Sequence, residues 1–313
     1  MKRAVLLALS SCLLLAASRG STLPLPNAIS FPEGIAITRD GRAAFVAGSS
    51  DGTIARIDLA TGRGTVLPEA LRGQVSIGGA FGMKVDDQDR LWIAGGRSRN
   101  IYVVDPQHDR RIATIATDPE IGLINDAAIA GGRIWFTDSR APVLWSVDLS
   151  KPLPDTATRW MRYDGTPLQY GEGGNLNGIA AAGPDTLIVV QANKGLLFRI
   201  DTRARRVEQI DLGGETLPGS DGLVLDRGML YVVRTEASEI VSVQLDRAYR
   251  TGKVVSRFKA PEVRLPATAA KVGDELIVVN AQLAHRADND PVRPFTLARV
   301  PLKLLSGKAA GQR

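Results

Sequence analysis

Short apolar runs broken by turn residues recur along almost the whole chain, and no stretch sustains a helical period. Their order repeats. A polar residue, often followed by glycine, opens one run; turns then lead to a second and a third, and the third ends in aspartate. "EGIAITRDGRAAFVAGSSDGTIARID" from Glu33 is one copy and "NGIAAAGPDTLIVVQANKGLLFRID" from Asn177 is another. Further copies open at Phe81, Asn125 and Asp221, with a weaker one at Pro266. Counted at 33, 81, 126, 177, 221 and 266, the anchors lie 44 to 51 residues apart. A four-stranded sheet repeated at that spacing is the mark of a propeller blade. The pattern predicts an all-β, six-bladed β-propeller of four-stranded antiparallel blades, with seven blades the main competitor. Segment 23–30 is placed to give the last blade a closing strand, which would remove the ring's open edges.

In such a ring the first strand of each blade lines the central channel, so the anchors converge on one axis. Glu33, Phe81, Asn125 with Asp126, Asn177, Asp221 and Pro266 would then surround one mouth. Packed carboxylates raise one another's pKa unless a cation lies between them. An all-oxygen set of Glu33, Asn177 and Asp221 suits one divalent ion, Ca²⁺ first, with Mg²⁺ or Mn²⁺ as alternatives. Zn²⁺ comes last, because it favours His or Cys. The competing reading is a polar channel that hydrogen-bonds trapped water. The five aspartates that close the units, Asp58, Asp105, Asp148, Asp201 and Asp246, are each followed by turn residues and are expected to cap turns.

Composition narrows the chemistry. The first 20 residues read as a signal peptide: Lys2 and Arg3, then an apolar run too short to span a membrane, then small residues. The expected layout is therefore a signal at 1–20, a single propeller domain at 21–305 and a loose polar tail at 306–313, with a periplasmic or secreted destination. Cys12, the sole cysteine, lies inside that leader, so the mature chain would have no disulfide and no thiol nucleophile. A lipid anchor at Cys12 is the lesser alternative. The formal charge of +6 falls to +3 once Lys2, Arg3 and Arg19 are removed. No basic run is interleaved with aromatics, which argues against nucleic acid. With two histidines, His108 in a polar turn and His285 in a long loop of the last unit, a Ser-His-Asp constellation has no support.

"PEGIAI", "INDAAIA", "LNGIA" and "SDGL" resemble the senescence-marker-protein/gluconolactonase family, also called regucalcin-like, and look closest to an exported bacterial branch of it. The resemblance implies a six-bladed propeller with one divalent ion on its axis. It implies Glu33, Asn177 and Asp221 as ligands and Asn125 beside the substrate, donating a hydrogen bond. It also implies hydrolysis of a lactone or ester, with Asp221 as general base. Family sugar lactonases tend to carry arginine two residues before that asparagine, where this chain has Leu123. The loops after each blade's second strand offer Arg97, Arg140, Asn193 and Arg234; Arg97 and Arg234 are the candidates for substrate contact. Two classes of function are therefore expected: a metal-dependent hydrolase of a small molecule, or a non-catalytic propeller that binds a ligand or protein partner. The sequence does not fix the oligomeric state.

Overall fold

The computed structural model describes residues 21–68, 79–117, 120 and 122–307. Six four-stranded antiparallel sheets form a ring. Their innermost strands are Pro32–Ile37, Met83–Val85, Ile124–Ala130, Leu176–Gly183, Ser220–Asp226 and Pro266–Val272. In the first five sheets the strands run in chain order from the axis outward. The sixth is completed by Thr22–Pro24, which pairs with Thr296–Pro301 in the register Thr22↔Ala298, Leu23↔Leu297 and Pro24↔Thr296. The closing strand is thus shorter than segment 23–30. Pro24 and Pro26 lack the N–H that a longer ladder would need.

Each junction between neighbouring blades encloses one apolar cluster, six in all among the described residues. Trp92, Ile101, Phe136 and Trp145 fill the junction of the second and third blades. The fully buried Trp92 donates its indole N–H to Asp86 at 2.7 Å, so its polar tip is satisfied within the core. The last blade packs against the first through Phe295, Leu297, Phe31 and Ile35, which closes the ring by burial as well as by pairing. A single helical turn, Leu302–Leu305, seats the buried Leu305 against the fifth and sixth blades. Among the described residues no helix is long and apolar enough to cross a membrane. The leader at 1–20 and most of the tail, 308–313, lie outside the described residues.

The inner strands share an irregularity. In five blades the ladder to the second strand slips where the anchor stands, so that two residues face one. Pro32 pairs with Gly48 and Ile35 with Val46, leaving Glu33 and Gly34 opposite Ala47 alone. Asn125–Asp126, Asn177–Gly178, Asp221–Gly222 and Ala267–Thr268 are displaced in the same way. The sixth anchor is therefore Ala267 rather than Pro266, which sits one place earlier, in the paired part of the strand. The one-residue difference arises because Ala267-Thr268 replaces the polar–glycine pair that marks the anchor in other blades.

Candidate functional site

The bulges turn anchor side chains out of the ladder and toward the axis. Glu33, Asp126, Asn177 and Asp221 line one small cavity with Ile35, Gly82, Gly222 and Thr268. Its free space is about 10 Å³ for the centre of a water-sized sphere, room for one water or one small ion. Beneath it the axis widens into a channel of about 370 Å³, whose mostly apolar wall comes from all six inner strands and includes Lys84 and Lys271. The glycines of the repeated motif make the convergence possible. A Cβ on Gly34 would lie 1.8 Å from the Phe81 carbonyl oxygen of the next blade, and one on Gly82 would lie 2.3 Å from Asp126 Oδ1. They serve close approach between blades.

The acidic side chains sit in unlike surroundings. Glu33 is 5% exposed, and its Oε2 is buried without a hydrogen-bond partner. Burial pushes its carboxyl well above the usual range, and the charges of Asp221 and Asp126 push it further; Arg286 and Lys84 pull it back. Asp221 is raised to about 7, first by burial and then by Asp126, against hydrogen bonds from Thr235 and Asn177. Thr235 Oγ1 donates to Asp221 Oδ2 at 3.2 Å. Asp126 is better provided. It accepts from the N–H groups of Ala127 at 2.7 Å and Ile179 at 3.2 Å, and the Lys84 ammonium stands 3.8 Å away.

Asn125 is buried beside these groups. Its Nδ2 donates to Ser139 Oγ at 2.8 Å, and that hydroxyl donates in turn to the Leu176 carbonyl at 2.6 Å. Its Oδ1 is buried with no partner, so the group left over is an acceptor. Leu123 turns away from polar work and packs against the cluster that holds Phe81 and Trp92. Arg97 and Arg140 are exposed. Arg234 is committed elsewhere: it pairs with the buried Glu239 and donates to the Pro218 carbonyl at 2.8 Å and 3.0 Å. Asn193 bonds to Glu172 and Asn175, and His108 is paired with Asp105 in its turn.

Thr268 and Arg286 were not singled out from the sequence, and Asp126 was expected at the mouth but not given a role there. Asp126 and Thr268 occupy the place where four other blades carry glycine, and a strict alignment of the "polar–Gly" pair would have exposed both. Arg286 comes from the last blade's irregular loop and reaches the first blade, where Nη1 donates to Ser49 Oγ at 3.1 Å. Among the described residues no three His, Cys, Asp or Glu side chains compose a metal centre by themselves. An ion here needs the Asn177 amide and water to complete its shell. Even so, the donor set fits a hard cation: every donor is oxygen, and an orphaned buried carboxylate oxygen faces two further acids whose charges raise its pKa.

Residues 9–122 match the family model described as "SMP-30/Gluconolactonase/LRE-like region", a stretch that takes in the first two blades and, among the proposed ligands, Glu33. No curated protein sequence matches the chain. Among solved structures, a regucalcin of Agrobacterium tumefaciens str. C58, described as a calcium-binding protein, is 17% identical, with a TM-score of 0.63 over 90% of this chain and 95% of that one. A protein assigned as a gluconolactonase is 14% identical, with a TM-score of 0.61 over 91% and 93%. A streptogramin B lyase is 15% identical, with a TM-score of 0.57 over 83% and 79%. Likeness at such identities speaks for the shared ring; chemistry has to be argued from the site.

Proposed function

We propose that the chain is an exported, divalent-cation-dependent hydrolase of a small lactone or related ester. The observation that carries this reading is the cavity on the axis, where Glu33, Asn177 and Asp221 meet and Glu33 Oε2 has no partner. These three residues would hold the ion, with Ca²⁺ the best match to an all-oxygen set. Bound there, a cation would polarise the ester carbonyl and make a coordinated water more acidic.

The chain's own groups divide the remaining work. Asp221 is the general base, its carboxylate steadied at Oδ2 by Thr235 while it takes a proton from water. The water oxygen then bonds to the carbonyl carbon, the C–O bond to the leaving oxygen breaks, and that oxygen takes the proton to give a hydroxy acid. Asn125 orients the substrate through Oδ1, accepting from a hydroxyl, since its amide N–H serves Ser139. Arg97 is exposed and available for substrate contact, whereas Arg234 would first have to leave Glu239.

Elemental analysis of the purified full chain tests the proposal. About one divalent ion per chain is expected, lost in Asp221→Ala, with hydrolysis of a lactone panel lost alongside it. Metal-free protein whose thermal stability ignores chelator, and which turns over no lactone, would favour a propeller that only binds.

A further inference from the structure

The cavity is acidic, yet its rim carries a cation on a rigid mount. Loop 281–295 leaves the last blade and is pinned at both ends. Gln282 exchanges hydrogen bonds with the backbone of Val292, at 2.9 Å from Nε2 to the carbonyl and 2.8 Å from the N–H to Oε1. Arg293 ties the far end to the Asn27 carbonyl at 3.0 Å. Between these staples stands Arg286, whose Nη1 donates to Ser49 Oγ. The Ser49 hydroxyl itself donates to the Phe31 carbonyl at 2.8 Å, two residues before Glu33. The guanidinium is thus anchored where the first blade enters the cavity, and Glu33 feels its charge. A guanidinium carries five donors, and the bond to Ser49 uses one.

Charge decides what the others are for. Glu33, Asp126 and Asp221 contribute three negative charges to the cavity and Lys84 one positive. A divalent ion supplies the remaining two, and the centre is then neutral. Arg286, exposed and close enough for its charge to act on Glu33, is then the surplus charge beside it. A planar fork of donors matches a carboxylate better than it matches a hydroxyl or an amide.

We propose that Arg286 makes this site select substrates that carry a free carboxylate on the carbon bonded to the scissile ester oxygen, the guanidinium pairing with that carboxylate. The assignment rests on the hydrolase reading, so its test carries a binding arm that does not. The ring ethers tetrahydrofuran-2-carboxylate and tetrahydrofuran-2-carboxamide cannot be hydrolysed as lactones, and they differ in charge at one group. Titration calorimetry on the Ca²⁺-saturated full chain should show the carboxylate bound about tenfold or more tightly. Arg286→Gln should bring the two within about twofold of each other, and Arg286→Lys should restore part of the preference. The matching lactones, 5-oxotetrahydrofuran-2-carboxylate and its carboxamide, should show the same ratio in kcat/KM. Equal binding of the two ethers, no binding of either, or a preference that survives in Arg286→Gln would overturn the assignment. A preference that disappears in Arg286→Gln while neither lactone is hydrolysed would sink the hydrolase and leave the carboxylate site standing.

Discussion

Two rings of acids share this molecule and behave oppositely. The outer set, Asp58, Asp105, Asp148, Asp201 and Asp246, closes the first five units and caps the turn that follows in each. Asp58 Oδ1, for example, accepts from Ala60 N at 3.0 Å and Thr61 N at 2.7 Å. Hydrogen bonds from neighbouring N–H and hydroxyl groups lower the pKa of Asp58, Asp148, Asp201 and Asp246, and Asp105 is lowered by its bonds despite some burial. The inner set, Glu33 and Asp221, is buried among like charges, and burial raises both. The chemical group is the same in both rings. What differs is whether backbone donors or other acids were brought to it. Repetition in five consecutive blades marks a structural role, whereas an acid at the mouth in only some blades marks a place where the ring's symmetry is broken.

The sharpest way to break the comparison is to deny the inner ring its convergence. In Gly34→Ala the new methyl group would collide with the Phe81 carbonyl, so the first blade must move away from the second. A loss of about 3 kcal/mol in denaturant-monitored stability is expected, with the inner acids no longer facing one cavity. Gly41 lies in the solvent-side turn between the first blade's first and second strands, and a Cβ there meets nothing. Its alanine variant should lose about 1 kcal/mol, from the positive φ of 69° alone. Comparable losses at the two positions would mean that inner packing is as forgiving as a surface turn.

Removing a charge should have opposite signs in the two rings. Glu33→Gln relieves repulsion at a buried, unpartnered oxygen, and it should stabilise the metal-free protein by about 1–2 kcal/mol at pH 8 while abolishing cation binding. Asp58→Asn should slightly destabilise. The pH dependence follows the same division. The folded pKa of Glu33 and Asp221 lies above the unfolded value, so their contribution is full below the unfolded value and lost as pH rises through the folded one, about 7 for Asp221. The outer aspartates have a lowered folded pKa; theirs is present above the unfolded value near 3.8 and lost as pH falls below it. Thermal melts in chelator should therefore decline on both sides of mildly acidic pH. Saturating Ca²⁺ should remove the decline on the alkaline side and leave the acid limb alone. An alkaline limb that ignores Ca²⁺ would separate the inner ring from any cation.

How much of this could be read without coordinates depended on repetition. Six blades followed from spacing, because every unit restates the same turns and runs. Glu33, Asn177 and Asp221 were legible because each precedes glycine at the start of a unit. Asp126 was noted but given no place in the site, since it replaces the glycine instead of preceding it. Pro266 stood in for Ala267 because the sixth unit has Ala267-Thr268 in place of the polar–glycine pair that marks the register elsewhere. Arg286 had no periodic neighbour to mark it; its position depends on a loop whose path is set by Gln282 and Arg293 contacts far apart in sequence.

The finest test compares one hydroxyl in each ring. Thr235 Oγ1 donates to Asp221 at 3.2 Å, and Thr61 Oγ1 donates to Asp58 at 2.8 Å. Both bonds favour the ionised acid, and valine removes either with little change in shape. In the inner ring the bond offsets burial and the charge of Asp126, so losing it should raise the Asp221 pKa further. If Asp221 is the base, the acid limb of kcat/KM in Thr235→Val should move up by about half a unit, with about threefold less activity on that limb and little change at pH 8.5. Thr61→Val should leave the profile where it was, because Asp58 is ionised throughout that range and far from the axis. The shorter bond would then have the smaller functional effect, since in the outer ring solvent and backbone N–H groups still satisfy the carboxylate. Equal profiles for the two variants would mean that a residue other than Asp221 takes the proton.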